Sequence, residues 1–563
     1  MRSAAMKRLR VGCIVEDGPQ CHSVHELIEK SEASEHYSIA LLIVQKTHLS
    51  EADGATPGII GRLRQMGLRR YVARASIYLV ERLEYIVVAR MTGFKDHFRT
   101  YPLDSFDIPK FHAHPSFSRR GRVVRYTAGD LARIKAQGLD VLLHLGANGV
   151  PRGEILSASR LGIISCANSG TYAARGGPAG FWEVYERKAT TDLAIQRLRG
   201  GTQDGGTLVK GALNTAPLYL LNAVNLARKS VAFLHLFLES VARNPGPPPV
   251  IEKNHNTYPL HGIPSLGHQL VYLYRTASHV LERAVRRSLG ARWRWNVAYQ
   301  FAESWQTAKL AESRIIKNPP GRFFADPCVV EWNGQSICFV EDYDSKTSIA
   351  KITAVRLEPD GYEVLGVALE EPFHLSYPFV FEAQGELYMC PESEQAREIR
   401  LYKCVEFPLT WKLHRVLVSD VAAVDSSIVH HGGRWWMLTN IDSAEIGDYR
   451  SELHLFHADD FDSYDWHPHP ANPVIFDSSR ARNGGMFLAG GNLYRVFQVQ
   501  GFDVYGESMG VALVRELSTD NYVEEVVSSI RPTFFPGIEG THTLSFNGQV
   551  LALDFVRRER LGK

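Results

Sequence analysis

Apolar residues follow two regimes along this chain. In the first half, short unbroken apolar runs alternate with stretches of helical period; in the second, short strand-like segments are punctuated by glycine. Residues 10–15 (RVGCIV), 37–44 (YSIALLIV) and 140–145 (DVLLHL) are continuous runs of the kind carried by strands buried on both faces. Residues 22–31, between the first two runs, have helix composition, and the alternation predicts a parallel α/β unit. Residues 60–89 place Arg, Leu and Tyr at helical spacing, with the basic residues as a solvated face. Residues 127–137 and the segment opened by GEILS at 153–157 predict further helices, whereas 104–118, rich in Pro, Phe and His, reads as loop. The most apolar long run, 216–242, is interrupted by Asn222, Asn225, Arg228, Lys229 and Glu239, which makes it an amphipathic helix and not a membrane span. Residues 245–249 (PGPPP) read as a linker, and 268–289 as an amphipathic bridging helix with a solvated basic face.

Beyond about residue 293 the pattern becomes repetitive. FFADPCVVEWNGQSICFVE, SYPFVFEAQGELYMCPE, VDSSIVHHGGRWWMLTN, RNGGMFLAGGNLYRVFQ and THTLSFNGQVLALDF each give a strand, a Gly turn and a second apolar strand. Aligned on Gly334, Gly385, Gly433, Gly491 and Gly548, they recur at about fifty residues, the size of a propeller blade. No such unit buries both faces alone, so five predict a radial β-propeller. Eight positions before each turn Gly stand Asp326, Tyr377, Asp425, Asn483 and Gly540; seven after it stand Glu341, Glu392, Asn440, Gln498 and Phe555. Equivalent blade positions converge on the axis. The alignment therefore predicts an axial polar ring of Asp326, Glu341, Glu392, Asp425, Asn440 and Gln498, with Arg482 and His542 beside it. Tyr377, Trp435, Trp436 and Tyr505 suit sugar stacking, although Trp in a blade is more often packing.

Composition narrows the field. A chain of 563 residues with 45% hydrophobic and 22% charged residues builds several ordinary globular cores. A formal net charge of +2 gives no drive toward nucleic acid or membrane, so a small-molecule or carbohydrate substrate is expected. The seven cysteines form no CxxC pair, which argues against a disulfide framework or structural zinc and fits a reducing, cytoplasmic location. The basic N-terminus lacks an apolar stretch of signal-peptide length.

Candidate chemistry in the first half gathers at strand ends. No GxGxxG follows the first strand, which argues against a dinucleotide site. Gly146, Ala147 and Asn148 follow one predicted strand and the turn after Gly162 follows another, so both face the crevice where open α/β sheets bind ligands. The order DVLLHLGANGVPRGEIL, GIISCANSG, RGGPAGFWEV, QRLRGGTQDGGTLVKG, within residues 8–240, resembles the folate-dependent formyltransferase family. The resemblance implies a Rossmann-like α/β domain, 10-formyltetrahydrofolate as cofactor with Gly146 and Asn148 at its site, and formyl transfer to an amine of a sugar or small polar metabolite. The family's chemistry needs an Asn and a His two apart, and a later Asp. Asp204 matches the Asp; the other two positions hold Ser165 and Ala167, and alanine cannot shuttle a proton. Asn168 is either an oxyanion donor or a turn residue, Cys166 either an acyl acceptor or a buried strand-end residue, and His144 either reaches the crevice or is packed.

FFADP, HLSYPFVFE, PES, DSS, GRWW, HPHPANPV, YRVFQ, Tyr505-Gly506 and Thr541-His542-Thr543, within residues 293–556, resemble the N-terminal domain of plant glucosamine inositolphosphorylceramide transferases. More distantly, they resemble the five-bladed propellers of furanosidase-type glycoside hydrolases. In those hydrolases a blade-one Asp and a later Glu act as base and acid; Asp326 sits in the matching turn and Glu392 is the candidate acid. The expected architecture is a formyltransferase-like α/β domain over 8–244, a linker and bridging helix over 245–290, and a five-bladed propeller over 291–560. The leading expectation is an atypical formyltransferase-like enzyme. The alternatives are a carbohydrate-active propeller (glycoside hydrolysis or glycosyl transfer) on a degenerate scaffold, and a non-catalytic glycan-binding protein.

Overall fold

A computed structural model describes residues 8–45, 68–91, 94–118, 123–146, 149–168, 177–198, 206–244, 246–253, 262–288 and 291–560. The chain divides into two compact units, Met1–Ser278 and His279–Lys563.

The first unit is built on an eight-stranded sheet. Strands β1 (Leu9–Glu16), β2 (Tyr37–Gln45), β3 (Lys110–Ala113), β4 (Val141–His144) and β5 (Ile163–Asn168) are parallel, in the spatial order 3-2-1-4-5. This is the order of a doubly wound sheet, whose strand direction of travel reverses between β1 and β4. Strands β6 (Thr190–Leu198), β7 (Gly206–Asn214) and β8 (Glu252–Lys253) extend it antiparallel. The unbroken apolar runs are explained by burial on both faces: Val11, Ile14, Leu142, Leu143 and Ile163 are all fully covered.

Helices α1 (His22–Ala33), α2 (Leu68–Val88), α3 (Ala128–Ala136), α5 (Tyr219–Arg243) and α6 (Leu266–Ser288) fall within or close to the predicted periods, and a short helix α4 (Phe181–Glu186) joins them. The Thr127 hydroxyl caps α3 by accepting the Asp130 N–H. GEILS, expected to open a helix, makes only a 3-10 turn, Glu154–Ser157, entered through Gly153 at φ 84°. The polar residues of α5 are not all on a wet face. Asn222 is fully buried and satisfied: it accepts the Ala216 N–H and donates to the Gly180 carbonyl and Thr191 hydroxyl. The start of α6 packs within this unit, with Gln269 donating to the Ala73 carbonyl and the Tyr272 hydroxyl to Glu84. Among the described residues, no helix is long and apolar enough to cross a membrane.

The second unit is a five-bladed propeller of antiparallel sheets. Blade I is 322–369, blade II 376–419, blade III 423–468 and blade IV 483–530. Blade V takes Ile538–Gly540, Leu544–Phe546 and Val550–Arg560 from the end of the chain, and Ala291–Phe301 and Arg314–Ile316 from the start of the unit. Five apolar clusters lie between neighbouring blades, and the one joining Val297 and Ala552 to Phe324 and Val340 closes V onto I. The turn glycines lie where a two-residue hairpin demands φ > 0. Asn333-Gly334 (52°, 74°), Gln384-Gly385 (53°, 75°), Gly432-Gly433 (61°, 79°) and Gly490-Gly491 (57°, 77°) are all type I′. Blade V departs: Phe546 pairs with Leu551 across a longer turn.

Candidate functional site

The propeller axis is made polar by a backbone device repeated around the ring. In blades I, II and III the innermost strand skips register between Ala325 and Cys328, Ser376 and Phe379, and Val424 and Ser427. The residues in these bulges, Asp326, Tyr377 and Asp425, have φ of 49°, 44° and 50°. Blade IV bulges between Asn483 and Gly485. A bulge re-aims one side chain out of the alternation, here into the axis. Opposite each bulge, on the second strand, Glu341 pairs with Ala325, Glu392 with Ser376 and Asn440 with Val424.

Around this ring the acids and cations interlock. Arg482 Nε lies 2.7 Å from Asp425 Oδ2 and its Nη2 3.7 Å from Glu392. Gln498 Nε2 donates to the same Asp425 oxygen at 3.0 Å and to the Asn483 carbonyl at 2.7 Å. The Asn483 side chain donates to the Asp425 carbonyl (2.8 Å), and its N–H to Asn440 Oδ1 (2.9 Å). His542 Nε2 is 3.1 Å from Asp326 Oδ1, while Nδ1 is 2.8 Å from Asp554 Oδ2. His374 Nε2 lies 3.5 Å from Glu341. Tyr505 covers Arg482 (5.4 Å) and packs edge-on to His542 (5.2 Å). Beside Asp326 a small pocket is lined by Cys328, Phe379, Met486 and Leu544.

Proton affinities in this cluster are split. Burial, the charges of Asp326 and Glu392 and a hydrogen bond with Asp326 hold Glu341 well above the usual carboxyl range. Burial, then the charge of Asp425, do the same for Glu392 against the opposing pull of Arg482. Burial alone would raise Asp326, but the hydrogen bond and charge of His542, with Arg482, bring it below its ordinary value. Burial would lower His542, but the charge of Asp554 and its contact with Asp326 push it up to about 10. The site therefore sets glutamic acids of raised proton affinity beside an aspartate of lowered proton affinity, the arrangement acid–base chemistry needs.

The expected axial residues Asp326, Glu341, Glu392, Asp425, Arg482, Gln498 and His542 thus lie together. Phe555 does not face the axis; it is fully buried against Phe534 and Phe535. The longer turn of blade V shifts the phase, and Asp554 takes that place. Asp554 and His374 are not among the residues the alignment singles out; counting from the strand pairing and not from the glycine finds the first. Trp436 is buried and donates to the His431 carbonyl, and Trp435 packs on Phe381 and Phe461, so both serve the blades and not a sugar. One trio of ligating atoms among the described residues, on Asp326, His542 and Asp554, lies within 4.8 Å of one another. A doubly protonated imidazole between two carboxylates accounts for that trio without an ion.

In the first unit only part of the expected transfer site lies among the described residues. Gly146 follows β4, where an added Cβ would meet Gln45 and Glu16 side chains at 3.6 Å, placing it at the ends of β1 and β2. Asn148 and Asp204 lie outside the described residues, and Asn168 closes β5. Ser165 and Cys166 are half-buried on β5. Burial pushes the Cys166 thiol up to about 11 against a hydrogen bond with Ser230, so it is a neutral thiol and not the nucleophile expected of an acyl acceptor. Burial brings His144 down to about 4, and its Nε2 has no hydrogen-bond partner among the described residues. A packed neutral imidazole does not replace the missing His.

Comparison with known proteins bears on the propeller. Residues 295–533 match the family described as glucosamine inositolphosphorylceramide transferase 1, N-terminal. The protein of that name from Arabidopsis thaliana is 37% identical over 211 residues, which is 36% of this chain and 27% of that protein. Its counterpart from Oryza sativa subsp. japonica is 34% identical over 214 residues, 37% of this chain and 28% of that protein. The chain thus spans little more than a quarter of the length of these relatives. Among solved structures, a family 117 glycoside hydrolase of Zobellia galactanivorans aligns at 13% identity over 48% of this chain and 91% of its own, with TM-score 0.31. The Bombyx mori family 32 β-fructofuranosidase aligns at 14% identity over 49% and 61%, with TM-score 0.32. The relatives are named for a glycosyl transfer, which overturns the expected folate-dependent formyl transfer; it is the propeller of this chain that is similar to the N-terminal domain of glucosamine inositolphosphorylceramide transferases.

Proposed function

We propose that the propeller acts on a glycosidic bond, with Asp326 as the ionised carboxylate and Glu392 as the proton donor. The observation that supports this most directly is the split proton affinity within one buried cluster: Asp326 held low by His542, Glu392 held high beside Asp425. Glu392 protonates the leaving oxygen as the bond to the anomeric carbon breaks. Asp326 stabilises the developing oxocarbenium ion or takes a proton from the incoming hydroxyl. With water as acceptor the outcome is hydrolysis; with a second sugar or lipid-linked hydroxyl it is transfer. Arg482 keeps Asp425 ionised and fixes Glu392, and Tyr505 presents an aromatic face to the sugar. The name carried by the relatives suggests a hexosamine-bearing glycolipid head group as the substrate class.

The test is turnover by the full chain of a panel of p-nitrophenyl glycosides, glucosaminides and furanosides included. Asp326→Asn and Glu392→Gln should each lower turnover by about 10²–10⁴-fold. Undiminished activity in both variants would sink the assignment.

A second reading follows from coverage. The matched stretch is 27–28% of the relatives, so the transfer they are named for need not reside in it. The propeller would then hold a glycan without cleaving it. Binding on a glycan array without turnover of any bound glycan, lost in Arg482→Met, selects this reading.

A further inference from the structure

We propose that Asp554 is the positioning residue of the axial site, fixing the His542 ring so that its Nε2 faces Asp326. This rests on the reading of Asp326 as the working carboxylate and deepens it. Neither His542 nor Asp554 falls within the matched residues 295–533.

The Asp554 side chain is fully buried, on the second strand of blade V. Its Oδ1 accepts the backbone N–H groups of His542 (3.0 Å) and Thr543 (3.1 Å). Its Oδ2 accepts the Thr543 hydroxyl (2.5 Å) and the Asp326 N–H (3.3 Å), and lies 2.8 Å from His542 Nδ1. One carboxylate therefore fixes the backbone before and after the His542 side chain, one ring nitrogen, and the bulge that carries Asp326. The strand that bears it is tied back by the Asp554 N–H to the Thr543 carbonyl (3.2 Å) and by the Thr541 hydroxyl to the Asp554 carbonyl (2.6 Å).

The ring has little room to turn. Trp295 packs tilted against it at 4.0 Å and Tyr505 edge-on at 5.2 Å. Gly506 passes so close that a Cβ there would sit 2.8 Å from the His542 Cβ. With Nδ1 in ion-pair contact with Asp554 at 2.8 Å, Nε2 lies on the side of Asp326 Oδ1, at 3.1 Å. The groups facing the imidazole are Asp326 and, one side chain further, Glu341 from blade I, Asp554 from blade V, Tyr505 from blade IV and Trp295 from the closing strand. Carboxylate on both sides stabilises the doubly protonated ring. That cation holds the proton affinity of Asp326 down, while burial and the charge of Asp326 hold that of the neighbouring Glu341 up. Asp554 touches no substrate; it acts through His542.

The experiment is ¹⁵N NMR of the full chain with labelled histidine, His542→Gln supplying the assignment. In the wild-type protein both ring nitrogens of His542 should remain protonated at pH 8. Asp554→Asn keeps an acceptor for the two backbone N–H groups but turns an amide donor toward Nδ1. The His542 midpoint should fall by about two pH units or more. A wild-type ring with one bare nitrogen at pH 8, or a folded Asp554→Asn protein with an unmoved midpoint, overturns the assignment. If Asp554→Asn does not fold, the wild-type spectrum alone decides. No substrate enters this measurement, so it stands or falls apart from the glycosidic reading.

Discussion

Arg482 shows how much a single side chain can carry. It is 12% exposed and contacts two acids, Asp425 at 2.7 Å and Glu392 at 3.7 Å, whose carboxyls also contact each other. Removing the cation leaves buried carboxylates uncompensated, a change that costs about 3–5 kcal/mol. The sign of the pH dependence follows from the direction of both shifts. Asp425 and Glu392 are raised in the folded state by burial, so they bind protons there more tightly than in the unfolded chain. Such groups lose stability as pH rises from their ordinary carboxyl range through their folded midpoints. Without Arg482 those midpoints climb further. Arg482→Met should therefore destabilise the protein at pH 8 by about 3–5 kcal/mol and by clearly less at pH 5, read from urea unfolding at the two pH values. An equal loss at both would mean that the guanidinium matters for packing and not for charge.

At the scale of the element, glycine plays two roles that the sequence shows as one letter. Gly334 at φ 74° sits in an open hairpin turn where an added Cβ would meet nothing within 4 Å. Gly485 at φ 142° lies where blade IV meets blade V, and a Cβ there would fall 2.1 Å from the Leu544 carbonyl oxygen. Gly334→Ala should cost about 1–2 kcal/mol for the left-handed backbone alone. Gly485→Ala should cost about 3 kcal/mol or more, because backbone and not a flexible side chain must move. Paired thermal and denaturant unfolding of the two variants checks the ranking, and equal costs would contradict it. The turn glycines were legible because a two-residue hairpin demands φ > 0 in a fixed place, and counting from them located Asp326, Glu341, Glu392 and Asp425. Asp554 was not legible because the blade V turn is longer and moves the count by one. The bulges that aim the axial side chains have no composition of their own: Asp326, Tyr377 and Asp425 share a conformation, not a residue type. Trp435 and Trp436 were ambiguous for a related reason, since packing and sugar stacking use the same residue. In the first unit, the unbroken apolar runs revealed the buried parallel strands, but a sheet order does not report which chemistry it carries, and Ala167 already stood where a proton carrier was needed.

For the molecule as a whole, the propeller depends on one closing strand. Ala291–Phe301 pairs antiparallel with Val550–Arg560 along its whole length, from Ala291 opposite Arg560 to Phe301 opposite Val550. The last strand also supplies both clusters that flank blade V: Val550 and Ala552 on the side of blade I, Leu551 and Leu553 on the side of blade IV. Val550, Leu551, Leu553, Phe555 and Val556 are at most 2% exposed. Each such side chain contributes about 1.5–3 kcal/mol of burial, so the strand holds on the order of 10 kcal/mol. That is comparable with the entire stability of a domain. Its loss would also leave two strand edges bare and remove Asp554 from beneath His542. A chain ending at Gln549 should therefore lose the cooperative calorimetric transition of the propeller and bind dyes that report exposed apolar surface, while a chain ending at Arg560 keeps the transition. A cooperative transition with an unchanged midpoint in the shorter chain would show that four blades and the inner strands of the fifth suffice. The axial site would then have to be held by the individual blades, and not by the closure of the ring.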